Sequence, residues 1–239
     1  MLLVLLAELS LLYFFSRWVT MGLFDLFLLM FRTRSVATAF ILILEFPGTV
    51  VHELSHLFTA EILGVHTGKL RLEPESIRGE NITAGSVTIA ESDPFRRYLI
   101  GLAPMFSGII ILTAISFFLP GLINSAFQQG IPFYQNPQFY VLLATGYLLF
   151  AASNTMFPSP QDLNGFLPFM IAIAVFVTAL YFIGFRLVIT GVILETETNI
   201  LTTLVKSLGV VLGINAGLLI LTKIITYLLT KIFRVIIVR

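Results

Sequence analysis

The chain alternates long apolar runs with short polar breaks, and the runs are of membrane-spanning length. A spanning helix needs about 20 mostly apolar residues, more when tilted. Leu2 to Phe31 is the first run, interrupted by Glu8, Arg17 and Asp25. It predicts either one long tilted helix or a span followed by an interfacial turn near Gly22. Val36 to about Gly64 is the second, with a bend expected at Pro47-Gly48. Tyr98 to about Leu119, Phe139 to Phe157, Phe166 to Phe185 and Leu204 to Leu229 complete a set of about six.

Between the second and third runs the period changes. In Thr67 to Ile89, "GKLRLEP" and "GSVTIA" alternate or favour strand formers around "ESIRGENITA". A small hairpin or sheet at the membrane face is expected there. Pro120 to Pro137 reads as a loop without charge. Its Phe127, Ile131, Phe133 and Tyr134 suit the membrane interface or a re-entrant cap. The expected fold is an all-α polytopic membrane protein with a small β element between helices two and three.

Composition supports the same class. Of 239 residues 57% are hydrophobic and 11% charged, against roughly a quarter charged in soluble domains. The formal net charge of +1 gives no electrostatic case for a nucleic-acid partner. The absence of cysteine removes disulfides and thiolate ligands from consideration. "MLLVLLAELSLLYFF" lacks an early basic region and a small-x-small cleavage site, so it reads as a retained helix.

Charge also suggests an orientation. Lys69 to Arg97 holds five basic groups, and Lys231, Arg234 and Arg239 lie in the tail. The positive-inside rule places both regions, and both termini, in the cytoplasm. Arg32 and Arg34 then fall outside, against the rule. Gly209, Gly213 and Gly217 share one face of the last run and allow close helix approach, within the chain or in a homo-oligomer.

"FPGTVVHELSHLFTAEILGV", Phe46 to Val65, sets chemistry into an apolar run. His52 and His56 are four residues apart, on one helix face, so both imidazoles can meet one metal ion. Glu53, next to the first histidine, can act as a base without being a ligand. Ionisable groups inside a span are expensive unless paired or hydrated. A polar helix interface or a proton path is the plainer reading, but two of the chain's three histidines make this pattern.

A catalytic zinc ordinarily has three protein ligands and one open position. Glu61, His66 and Glu45 are poorly placed by helical counting. Asp162 is better placed. It follows Asn154, Pro158 and Pro160 in "SNTMFPSPQDLNG", where prolines break a helix and free backbone groups. An Asp after two prolines is also an ordinary turn residue.

These motifs resemble those of the site-2 protease family of intramembrane zinc metalloproteases. Such proteins pair HExxH with a later segment of the form NxxPxPxxDG. Asn154 to Asp162 is similar, although Leu163 and Asn164 separate Asp162 from Gly165. "FRRYLIGLAPMFSG", Phe95 to Gly108, resembles the family's basic pair and following turn, but lacks the glycine between Ala103 and Pro104 and has Ser107 near the usual Asn.

The resemblance covers about Leu44 to Asn164, without room for a PDZ-like domain between spans three and four. It implies one zinc ion per chain on His52, His56 and Asp162, with Glu53 activating water. Asn154 would hold an unwound substrate strand or steady the site. The substrate would be a membrane-spanning protein segment and the compartment a prokaryotic plasma membrane, with the site towards the cytoplasm. The chain divides into an accessory segment (1–35), a metalloprotease core (36–165, β element 67–90), and two accessory helices with a basic tail (166–239). A non-proteolytic metal-binding assembly factor and a transporter are the rival readings.

Overall fold

In the computed structural model, residues 2–71, 76–78, 81–83, 86–90, 92–128, 130, 132–159, 162, 171, 174–176, 178, 179, 182, 183 and 192–233 are described. Five α-helices organise them: α1 (Leu2–Phe31), α2 (Arg34–Ile62), α3 (Pro94–Ala126), α4 (Pro137–Thr155) and α5 (Val192–Phe233). A single 3-10 turn, Phe133–Gln135, precedes α4. Of the two forms expected for the first run, the unbroken helix is the one present. Proline does not interrupt α2 either, and Pro47 lies inside it.

Four helices are long and apolar enough to cross a membrane: Leu3–Phe31, Arg34–Ile62, Pro94–Ala126 and Leu201–Ile232. The six expected spans thus narrow to four among the described residues. α4 has only 19 residues, and Gln138, Thr145, Ser153, Asn154 and Thr155 dilute its apolar character. Most of Phe166 to Phe185 lies outside the described residues. Phe117 and Phe118 on α3 are 70% and 71% exposed, and Ile232 on α5 is 70% exposed. Side chains of this kind on every long helix need lipid as their solvent. The protein is integral to a membrane.

The first part of the loop expected from Pro120 to Pro137 is instead the last two turns of α3, with Pro120 inside the helix, and the connection to α4 begins only at Phe127. An interior proline removes one backbone hydrogen bond without preventing the helix from resuming. The helix stops at Ala126, where Asn136 folds back to cap it. Its Nδ2 donates to the carbonyls of Ser125 and Ala126 at 2.6 and 3.1 Å, while its Oδ1 accepts from the Gln138 N–H at 3.0 Å. One buried amide closes α3 and opens α4.

The end of α2 is equally well defined. Gly64 adopts φ +68°, the Val65 N–H reaches the Ala60 carbonyl at 2.8 Å, and the Gly64 N–H reaches Glu61 at 3.0 Å. These are the bonds of a Schellman motif, which needs a left-handed residue at this point. Ala60 and Val65 then pack with Ile100. Between α2 and α3, the described residues form two short antiparallel ladders. β1 (Thr67–Arg71) pairs with β4 (Ser86–Ile89), and β2 (Ser76–Arg78) pairs with β3 (Asn81–Thr83). No larger sheet or barrel is present among the described residues.

The apolar core joins four helices: Leu12 of α1, Leu112 and Leu119 of α3, Leu149 and Ala152 of α4, and Leu208 and Val211 of α5. α2 packs on α1, α3 and α4. The C-terminal end of α4 therefore meets all four of the other helices.

Candidate metal centre

His52 and His56 project from successive turns of α2, with their Nε2 atoms 3.2 Å apart. Asp162 reaches them from beyond α4. Its Oδ2 is 3.8 Å from His52 Nε2, and its Oδ1 is 3.5 Å from His56 Nε2. The three ligand atoms lie within 4.8 Å of one another. Among the described residues no other group of this kind is found. The side chains of His52, His56 and Asp162 are only 13%, 6% and 20% exposed, and Glu53 is buried beside them in sequence.

The other ring nitrogens decide which way the lone pairs face. His52 Nδ1–H donates to the Thr155 carbonyl at 2.6 Å, and His56 Nδ1–H to the Ile100 carbonyl at 2.8 Å. A carbonyl only accepts, so in the neutral imidazoles the hydrogen sits on Nδ1 and the Nε2 lone pairs face each other. Two such acceptors cannot bond to one another, whereas a cation between them satisfies both. Carbonyl contacts behind ligating histidines also fix their orientation and raise their basicity.

Why those two carbonyls are available follows from the sequence. In an α-helix, the Ile100 carbonyl would accept from the N–H of residue 104. Residue 104 is Pro104, which has no N–H, so Ile100 is left open towards α2. Thr155 is the last residue of α4, where carbonyls have no partner within the helix. Each histidine is thus held by a backbone group that its own helix cannot use.

Two glycines let these backbones come close. A Cβ on Gly48 would run into the Ala151 carbonyl and Thr155 Oγ1 of α4. A Cβ on Gly101 would run into the backbone carbonyl of Asp162. Gly48 lies one turn before His52, and Gly101 directly follows Ile100. The same small residues that dock the segments therefore lie next to the groups that bind the histidines.

Asp162 serves both readings of its segment. The Ser159 N–H donates to Asp162 Oδ2 at 2.7 Å, and the Asp162 N–H donates to Ser159 Oγ at 3.3 Å. The turn fixes the carboxylate while its oxygens face the histidines. The donor set suits zinc: ligands about 2.0–2.1 Å from a tetrahedral ion stand roughly 3.3 Å apart, close to the 3.2 Å between the two Nε2 atoms, and the three ligand atoms all lie within 4.8 Å of one another.

The remaining candidates lie elsewhere. Glu45 accepts from Thr20 Oγ1 of α1 at 2.7 Å. Glu61 and His66 are exposed near the end of α2. Asn154 Nδ2 donates to the Phe150 carbonyl at 2.8 Å and to Asn215 Oδ1 of α5 at 3.2 Å. Its side chain is therefore tied to the back of α4 rather than to the three ligands. Ile100, Thr155 and Asn215 stand outside the sequence motifs of the site. A carboxamide in the apolar run around Asn215 was a readable signal; the two carbonyls required the packing.

The chain matches no protein-family model, no curated protein and no solved structure. The site itself carries the functional assignment. A buried His52-Glu53-x-x-His56 pair with Asp162, set within membrane-spanning helices, has the geometry of a zinc-metalloprotease active site.

Proposed function

We propose that the protein is an intramembrane zinc metalloprotease of the site-2 protease type, cutting peptide bonds in or near a membrane-spanning segment of another protein. The convergence of His52, His56 and Asp162 from α2 and the segment after α4 carries this reading. Zinc on these three ligands would supply Lewis acidity towards a peptide carbonyl and lower the pKa of bound water.

Glu53 is the proton carrier in this reading. Its carboxylate accepts a proton from the attacking water and delivers it to the departing amine nitrogen. A purely structural metal site has no use for a base beside its first ligand, which favours hydrolysis over a metal-binding assembly role. His52 and His56 keep their Nδ1 hydrogens on Thr155 and Ile100 throughout. Asp162 stays oriented by the Ser159 turn.

A helical peptide bond must unwind before water can attack it. Either outer edge of the β1–β4 pair could hold an unwound strand by main-chain pairing. The helix stop at Thr155, followed by Pro158, is a natural water entry, because irregular backbone at membrane depth belongs beside a wet cavity. The basic groups support termini and site on the cytoplasmic side, with six spans when α4 and the 166–185 region are counted.

The test is cleavage in liposomes containing the purified protein, zinc and tagged single-span substrates, with new termini located by mass spectrometry. Cuts within or beside the span, absent with Glu53→Gln, are expected. Zinc-loaded protein that cuts none of a broad substrate panel, while Glu53→Gln binds zinc identically, would favour the non-proteolytic metal-binding reading.

A further inference from the structure

Helices α1 and α5 lie outside the residues that carry the metal-binding pattern, yet both bond to Asn154 at the end of α4, and α5 bonds to Ser153 as well. Ser16 Oγ of α1 donates to the Asn154 carbonyl at 3.2 Å. Asn215 Nδ2 of α5 donates to Ser153 Oγ at 3.0 Å, and Asn215 Oδ1 accepts from Asn154 Nδ2 at 3.2 Å. Asn215 and Ser153 are both fully buried. The next residue, Thr155, supplies the carbonyl that holds His52.

We infer that Asn215 is a positioning residue for the metal centre, fastening the end of α4 so that Thr155 meets His52. This rests on the zinc-site reading above and gives the last helix a part in it.

Three observations favour this over ordinary helix packing. First, Asn215 meets two consecutive side chains at the foot of α4, whereas the buried hydroxyl of Thr222 on the same helix donates to its own helix at Leu218. Second, the bonds lie where water is scarce, so an amide left without partners there is expensive and the geometry is correspondingly fixed. Third, Asn154 Oδ1 is buried with no hydrogen-bond partner among the described residues. The Asn154 amide is thus oriented by its Nδ2 bonds, to Phe150 and Asn215 above all, and Asn215 is the only one of these partners outside α4.

The chain of contacts has a direction. α5 sets Ser153 and Asn154, those residues set the terminal turn of α4, and that turn presents the Thr155 carbonyl. Removing the amide frees the turn to shift, and His52 loses the acceptor that fixes its ring. Losing a group that orients a metal ligand typically weakens metal affinity by about 10–100-fold. Acting one contact further away, Asn215 is expected near the lower figure.

The test compares wild type, Asn215→Leu and Thr222→Val, each as the full chain in detergent. Zinc affinity is read by chelator competition, site geometry by the visible absorption of the cobalt(II)-substituted protein, and folding by thermal unfolding. The expected result is about tenfold weaker zinc binding with an altered cobalt spectrum for Asn215→Leu, and neither change for Thr222→Val. Equal affinity and an unchanged cobalt spectrum in Asn215→Leu, whatever its melting temperature, would overturn the inference. If Asn215→Leu does not fold, Ser16→Ala takes its place with the same two outcomes, because it loosens the same turn from α1. Wild type that binds no zinc overturns the site reading, and the inference falls with it.

Discussion

His52 Nδ1 lies 2.6 Å from the carbonyl oxygen of Thr155, across 103 residues of sequence. That bond joins the HExxH helix to the end of α4, just before the segment that supplies the acidic ligand. It exists because Gly48, one turn earlier on α2, leaves α4 room to approach.

Gly48→Ala would place a methyl group against the Ala151 carbonyl and the Thr155 hydroxyl. Backbone cannot yield as a flexible side chain does. A destabilisation of about 1–3 kcal/mol is expected from overpacking, with weaker zinc binding. Thermal unfolding and chelator competition on the same preparation check both. An unchanged zinc affinity would separate helix docking from the His52 contact.

Pro104→Ala separates fold stability from the site. It restores an N–H that can bond to the Ile100 carbonyl and so fills a gap in the hydrogen-bond ladder of α3. The helix is expected to gain stability or stay level. His56 must then share its acceptor, and zinc affinity is expected to fall by up to about tenfold. A melting temperature that holds or rises while affinity drops is the distinctive outcome.

Glu53→Gln tests proton transfer without disturbing the ligands. Zinc content is expected to stay at the wild-type value while cleavage falls by about 10²–10⁴-fold, the usual worth of a general base. Substantial cleavage by the zinc-loaded variant would remove Glu53 from the mechanism.

Much of this was legible in the sequence because membrane helices announce themselves by length and apolar character. The pairing of His52 with His56 needed only a helical period, and Asp162 needed a proline-broken segment arriving on the same side. Other features depend on atoms that carry no sequence label. The carbonyl behind His56 is open only because a proline falls four residues after Ile100, a rule that becomes meaningful once α3 is known to face α2. Pro120 shows the converse. It marked a loop in the sequence but sits inside α3, because one missing hydrogen bond is a small loss in a helix held by its neighbours. The reach of Asn215 to Ser153 and Asn154 required the bundle itself.

Metal content tests the central claim most directly. Purified wild type, His56→Ala and Asp162→Ala would be supplied with zinc, freed of excess, and measured by elemental analysis against protein concentration. One zinc per wild-type chain, lost or sharply reduced in both variants, is the expected result, since the two residues belong to different segments of one site. A wild-type chain that retains no zinc, or an Asp162→Ala variant that holds it as tightly as wild type, would contradict a three-ligand centre built from α2 and the segment after α4.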